Sequence, residues 1–266
     1  AGGRVTRESA LPGLTEWARV RDWRLTQIGK MANVDLYLES RMSAEDVIAA
    51  APDHVVIATG SHWRKDGVGR NTASPVFDPA DPNIRSVDEI LDGAAVTGEV
   101  VVFDDDGYYI APLIAEKLAA AGARVTYVSA EPQFAPWTYY TQEQARSMTR
   151  LEQLGVAWRG NLLPLRFGGG KAEFASRLTG RVEIIAAATL VPVTSRTPNR
   201  TLYDELAARQ AAGKAGGIRT LHLVGDAEAP ATIGHAVYSG HRLSQELEGG
   251  DPESRRDRVV IGPKPA

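Results

Sequence analysis

The sequence predicts a doubly wound α/β protein, and three observations carry that reading. Strand-length apolar runs alternate with helix-length amphipathic ones along the 266 residues. The stretch from Glu99 to Ser129 reads as strand, turn, helix, strand, the arrangement that joins parallel strands. Two further apolar runs, "HVVIATG" and "TLHLVGD", end in small residues, as strands do where the chain must pass close beside a ligand.

The elements follow in order. From Leu14 a helix is expected, because Trp17, Val20, Trp23 or Arg24, and Ile28 recur near helical spacing and the pattern stops before Asn33. "VDLYLES" alternates as a strand should, and "SAEDVIAA" is a short helix with Ser43 and Asp46 in near capping-box spacing. "HVVIATG" is a buried strand. Residues 64–98, rich in Pro, Asp, Asn and Gly, form a crossing loop with one short helix at "SVDEILDG". "EVVVFD" is the next strand. Pro112 suits the following helix's first turn, Ile110, Leu113, Ile114, Leu118 and Ala121 form its buried stripe, and Gly122 stops it. "RVTYVS" is the returning strand, followed by a helix in "TQEQARSMTRLEQLG", the segment "VAWRG", a turn at Gly168-Gly169-Gly170, and strands around "RVEIIAAATLVPV". A helix in "TLYDELAARQAAGKAG", the strand "TLHLVGD" and a helix in "TIGHAVYSGHRLSQELEGG" complete the order, and the last residues read as an extended surface tail.

Composition excludes several function classes. A net charge of −3 gives no strongly basic face, which argues against nucleic acid and membrane surfaces as partners. The longest apolar run, Ile184 to Val193, is too short to span a bilayer. No signal peptide is read. Zero cysteines remove disulfides, thiolate metal sites, iron–sulfur ligation and thiol redox chemistry from this chain, and fit a cytoplasmic setting. His235 and His241 stand six apart, off one helical face, so no metal site is expected there.

Small residues at strand ends, Ala58-Thr59-Gly60 and Gly225-Asp226, leave room for a ligand, and a helix starting near Ala231 would aim its N–H groups at an anion. Asp226 could accept hydrogen bonds from a ribose or ribityl hydroxyl. In this order, around an inserted β-α-β unit, the motifs resemble the two-dinucleotide-domain, glutathione-reductase-like flavoproteins. Closer still, "GGRVTRESALPGLTEWARVRDWR", "HVVIATGSHWRKDGV", "DDDGYYIAPLIAEKLAAAGARVTYVS" and "HLVGDAEAPATIGHAVYSGHR" resemble the carboxyl-terminal portion of the trimethylamine dehydrogenase, histamine dehydrogenase and N-methylproline demethylase family. The second and fourth stretches are generic to flavoprotein disulfide reductases; the first and third are particular to the amine dehydrogenases.

That resemblance implies two Rossmann-like, glutathione-reductase-type nucleotide-binding domains, the second inserted in the first. Residues 1–95 and 199–250 would form a FAD- or ADP-type domain lacking its first β-α-β unit, 96–198 the inserted NAD(P)H-type domain, and 251–266 the tail. It further implies an amino-terminal barrel with FMN and a [4Fe–4S] cluster as the partner of this segment. An electron-transferring-flavoprotein-like acceptor and a homodimer are implied as well. Bound ADP, or FAD, would lie with Gly2, Gly3 and Arg4 beside the adenosine ribose and phosphates. Arg41 and Met42 would be at the adenine edge, Ala58, Thr59 and Gly60 under the phosphates, and Gly225 and Asp226 at the far end. No catalytic residue is expected in this chain, since the chemistry would reside in the barrel.

Aligning the inserted unit to G-x-G-x-x-G puts Asp104, Asp106 and Tyr109 where the three glycines belong. Carboxylates would then face the place of the phosphates. The expectation is an inserted domain that keeps its fold without NAD(P)H. The chain is therefore read as the nucleotide-binding part of an amine dehydrogenase that demethylates or deaminates a small amine. The alternatives are an NAD(P)H-dependent reductase of the 2,4-dienoyl-CoA reductase type, or a non-catalytic ADP- or FAD-binding docking subunit.

Overall fold

A computed structural model describes residues 1–247. Along the described chain the helices are α1 (Arg4–Glu8), α2 (Ala18–Ile28), α3 (Ala44–Ala49), α4 (Val87–Leu91), α5 (Ile110–Ala120), α6 (Gln144–Gln153), α7 (Thr201–Ala211) and α8 (Ile233–Glu246). The strands are β1 (His54–Ile57), β2 (Ser61–Trp63), β3 (Glu99–Asp104), β4 (Arg124–Ser129), β5 (Ala157–Arg159), β6 (Leu162–Gly168), β7 (Lys171–Ser176), β8 (Val182–Ala186), β9 (Thr189–Val193), β10 (Arg196–Pro198) and β11 (Thr220–Leu223). The chain divides into two compact units, 1–40 with 62–197, and 41–61 with 198 onward.

The first unit is built on a four-stranded parallel sheet in the order β5-β4-β3-β9. Strand β3 lies inside it, with Val102 opposite Tyr127 of β4 and Asp104 opposite Val193 of β9. Both faces of β3 are covered, so Val100, Val101, Val102 and Phe103 are all fully buried, and this is why "EVVVFD" is continuously apolar rather than alternating. On one face α5 packs Ile110, Ala111, Ile114, Ala115 and Leu118 against Val100, Val102 and Tyr127. On the other face Val101 and Phe103 meet Phe77, Ile84, Leu190 and Phe174. Phe174 belongs to a three-stranded antiparallel sheet in the order β6-β7-β8. Ser86 caps α4 with a complete capping box through Glu89, which fixes where the crossing loop rejoins the sheet.

In the second unit β1 and β11 pair in parallel, Val55 opposite Leu221 and Ile57 opposite Leu223. Ala44 and Val47 of α3 and Leu206 of α7 close a small core on Val55 and Ile57. Ser43 caps α3 as expected, with Asp46 completing the box.

The expected pair of doubly wound, glutathione-reductase-type domains is corrected here. The described part of the second unit pairs only β1 with β11, and the parallel sheet of the first unit carries a meander of antiparallel strands on one face. Smaller expectations change too. "VDLYLES" is not a strand: Val34, Leu36 and Leu38 are exposed, and alternation alone makes no strand without a neighbour to hydrogen-bond. The helix expected from Leu14 opens as a 3₁₀ turn over Thr15–Trp17. Ala121 lies just past the end of α5 and is exposed. The tail expected at 251–266 lies outside the described residues.

Candidate nucleotide site and the acidic turn

In the second unit the parallel pairing brings the two predicted strand ends together. The Val224 N–H donates to the Ile57 carbonyl at 3.0 Å, so Ala58-Thr59-Gly60 and Gly225-Asp226 leave the sheet side by side. Gly60 and Gly225 both have left-handed φ, +78° and +60°, a turn geometry that side-chain-bearing residues rarely adopt. Backbone and side chains then lock these turns. Thr59 Oγ1 donates to the Asn199 carbonyl at 2.5 Å, the Asn199 N–H donates to the Gly60 carbonyl at 2.9 Å, and the Gly225 N–H donates to Ser239 Oγ at 3.0 Å. Asp226 accepts from Ser61 Oγ and from the Ala231 N–H, both at 3.1 Å, which ties the loop leading into α8. Thr232 precedes α8 in extended conformation, but its hydroxyl lies 2.8 Å from His235 Nδ1 and does not cap the helix.

The other predicted ligand residues are placed separately. Arg41 and Met42 are exposed just ahead of α3. Gly2, Gly3 and Arg4 open α1 in the first unit, where Arg4 Nε meets Glu8 Oε1 at 2.6 Å. Gly2 has a packing reason of its own: a Cβ there would lie 2.5 Å from Thr6 Oγ1 and 2.6 Å from Arg21 Cδ.

The acidic turn after β3 does not present its carboxylates outward in the way the sequence suggested. Asp104 is fully buried; its Oδ1 accepts from the N–H groups of Asp106 (3.1 Å) and Gly107 (2.8 Å), and its Oδ2 accepts from the Tyr127 hydroxyl. Burial pushes its pKa up to about 7 against those hydrogen bonds. Asp105, also buried, accepts from Asn71 twice, from the backbone N–H at 2.9 Å and from Nδ2 at 2.7 Å. Its closeness to Gly69 explains that glycine, since a Cβ there would sit 2.3 Å from Asp105 Oδ2. Asp106 is raised to about 6 by burial, which outweighs the nearby charges of Arg70 and Arg4. Like-charge repulsion within the turn is thus relieved by partial neutralisation rather than by solvent.

Aromatic rings and α1 fill the space beyond. The Tyr109 hydroxyl donates to Glu8 Oε2 at 2.8 Å, and its ring lies 5.2 Å from Trp17 and 4.8 Å from Tyr108. The Trp137 N–H donates to the Gly107 carbonyl at 3.0 Å, laying the 3₁₀ turn Pro136–Tyr139 across the end of β3.

Comparison with known proteins places this architecture. The family described as the OYE-like second alpha/beta domain matches residues 86–201. The chain is 32% identical to dimethylamine dehydrogenase of Hyphomicrobium sp. (strain x), over 96% of this chain and 38% of that protein. The structure of histamine dehydrogenase from Rhizobium sp. 4-9 superposes with a TM-score of 0.91 at 39% identity, covering 99% of this chain and 41% of that one. The chain is a homologue of one segment of the amine dehydrogenases.

A third relative, the 6-hydroxypseudooxynicotine amine oxidase of Pseudomonas geniculata N1, has a TM-score of 0.88 at 34% identity, over 92% of this chain and 36% of that one. The chain thus spans about two fifths of the length of the amine dehydrogenases it matches. These matches also set the fold class: it is that of the OYE-like amine dehydrogenases, not of two glutathione-reductase-type domains. Sequence reasoning missed Glu8, Asn71 and Tyr127, the residues that make the acidic turn possible. Tyr127 alone carried a signal, since a tyrosine at an inward position of a buried strand needs a partner for its hydroxyl. Asn71 and Glu8 reach the turn from distant parts of the sequence, and no spacing announces them.

Proposed function

We propose that this chain is the nucleotide-holding part of a flavin-dependent amine dehydrogenase that oxidatively demethylates or deaminates a small amine. Its electrons pass to a carrier protein such as an electron-transferring flavoprotein and are not drawn from NAD(P)H. The observation that carries the second half of this reading is the closed turn after β3. A pyrophosphate at the start of α5 would have to displace Trp137 from Gly107 and meet Asp106, so the same packing speaks against the reductase alternative.

For the nucleotide itself, support comes from the paired strand ends of the second unit. Thr59 and Gly60 offer backbone beside Gly225, and the carboxylate of Asp226 stands at the same strand end, the chemistry that recognises a ribose hydroxyl. ADP is the nucleotide proposed there, and its role is structural. A flavin held outside this chain would supply the two-electron acceptor for oxidation of the substrate's C–N bond, and this chain has no cysteine with which to hold an iron–sulfur cluster.

The test is to denature the full-length enzyme and identify the released nucleotides by mass spectrometry, then to mix the intact enzyme with NADPH anaerobically. ADP with FMN, and no flavin reduction by NADPH, is the expected result. FAD, or rapid flavin bleaching by NADPH, would return the chain to the reductases.

A further inference from the structure

We propose that the notch at the carboxyl end of β4 binds a planar heteroaromatic ring bearing one anionic group, the chemistry of a nucleoside monophosphate. The notch has a volume of about 200 Å³ and is lined by Arg70, Glu131, Gln133, Trp137, Tyr139 and Tyr140. Three aromatic rings within four residues stand exposed there, Trp137 at 45%, Tyr139 at 68% and Tyr140 at 75%. Trp137 and Tyr140 lie 6.0 Å apart and only 32° from parallel, with Tyr139 edge-on to Tyr140 at 5.7 Å. Such surfaces stack on flat rings.

The turn that displays them is held in place. Thr138, 1% exposed, donates its hydroxyl to the Ala135 carbonyl at 2.6 Å, and Gln144 Nε2 donates to the Phe134 carbonyl at 2.5 Å. The segment is bracketed by two non-glycine residues in left-handed conformation, Ala135 at φ +36° and Gln142 at φ +62°. Backbone strain of this kind gathers where a structure must present particular groups.

Polar groups of both signs flank the rings. Arg70 carries its guanidinium carbon 5.0 Å from the centre of the Trp137 ring, in reach of an anion attached to a ring stacked beside it. Glu131 is fixed by its own N–H on Ser129 Oγ at 3.1 Å and by Asn71 Nδ2 on Oε1 at 3.1 Å. Asn71 is itself held by Asp105, so the acidic turn positions this wall of the notch. A carboxylate accepting from one donor retains room for the neighbouring hydroxyls of a sugar.

The ligand ends at one phosphate. Trp137 and Pro136 close on Gly107, with Trp137 Cδ1 3.3 Å from a Cβ placed there, which shuts the path from the notch to the start of α5. Asp106 precedes Gly107 in that closed turn, so a second phosphate there would meet a carboxyl group. This site lies in the first unit and does not depend on the nucleotide proposed for the second.

The experiment is isothermal titration of the full-length enzyme, its copurified nucleotide retained, with AMP, adenosine, inorganic phosphate and NADPH. Wild type is compared with Trp137→Ala, Trp137→Phe and Arg70→Ala. AMP is expected to bind wild type, and Trp137→Ala to weaken it about tenfold or more, as the loss of one base stack does, with Trp137→Phe losing much less. Arg70→Ala should bring AMP down to the affinity of adenosine, and NADPH should bind no tighter than AMP. Failure of AMP to bind, indifference to Trp137→Ala, or equal binding of phosphate alone would overturn the proposal. So would complete protection of Trp137 from acrylamide quenching in the ligand-free enzyme, because the rest of the longer protein would then cover the notch.

Discussion

Replacing Asp104 with asparagine should change how stability depends on pH more than stability itself. Asp104 is fully buried, and burial raises it from 3.8 to about 7. The sign follows from proton linkage. Between those two values the folded chain binds a proton that the unfolded chain has released, so stability is greatest below pH 3.8, falls as pH rises, and is flat above 7. At about 1.4 kcal/mol per pH unit, the whole displacement amounts to about 4 kcal/mol, and about 3 kcal/mol of it falls above pH 5. Asparagine is isosteric: its carbonyl can accept from the Asp106 and Gly107 N–H groups while its amide donates to the Tyr127 hydroxyl oxygen. The assay is urea unfolding followed by tryptophan fluorescence, repeated from pH 5 to pH 8. Asp106, raised to about 6, titrates in both proteins, so the interval from pH 6 to 7 isolates Asp104. There the wild type should lose about 1 kcal/mol that Asp104→Asn does not lose. Tyr127→Phe should carry the loss of stability on to higher pH, because the tyrosine hydroxyl holds the Asp104 pKa down. Parallel curves for wild type and Asp104→Asn across pH 5–8 would refute the reasoning and mean that the folded chain carries Asp104 ionised.

Three further substitutions probe the frame around that turn. Phe103→Ala empties a fully buried position between Phe77 and Phe174 and should cost about 3–5 kcal/mol in urea unfolding; a loss under about 1 kcal/mol would mean that the antiparallel sheet does not pack on the parallel one there. Ser86→Ala removes half of a capping box at a buried helix start and should cost about 1 kcal/mol, whereas Ser86→Asp should recover most of it. Gly67→Ala places a Cβ at φ +82° and 2.8 Å from the Phe77 ring, and should lower the thermal midpoint more than Gly98→Ala, where φ is also left-handed but nothing lies within 4 Å.

Much of the fold was legible in the sequence because the information is local. "EVVVFD" announces a strand, Ser43 a helix start, "SVDEILDG" a short helix, and Gly122 the end of a helix. Ala58-Thr59-Gly60 and Gly225-Asp226 each read as the end of a strand, and β1 and β11 run up to them in parallel register. What failed was non-local. The hairpin of β6 and β7 lacks clean alternation, since Pro164 and a register shift before Arg166 interrupt it, and only its Gly168-Gly169-Gly170 turn stood out. "VDLYLES" has the alternation without a strand to pair with. The acidic turn failed differently: its identity as a broken glycine motif was visible, but whether three carboxylates face solvent or core depends on Tyr127, Asn71 and Val193, which sequence does not juxtapose.

Glycines in such a turn exist to bring backbone close to a phosphate, and a chain that gives up the phosphate must satisfy the backbone N–H groups some other way. Here Asp104 Oδ1 accepts from two of them, the N–H groups of Asp106 and Gly107, while the Val193 carbonyl accepts from Asp105 and Asp106. The first carboxyl group therefore plays, as an internal acceptor, the role that a bound phosphate oxygen would play. Its neighbour Asp105 is spent on holding Asn71, and only Asp106 keeps part of its surface. An internal acceptor costs desolvation, seen in the raised pKa of Asp104, but it cannot dissociate. The turn is thus closed without any ligand, which suits a domain that holds its shape rather than one that exchanges a dinucleotide.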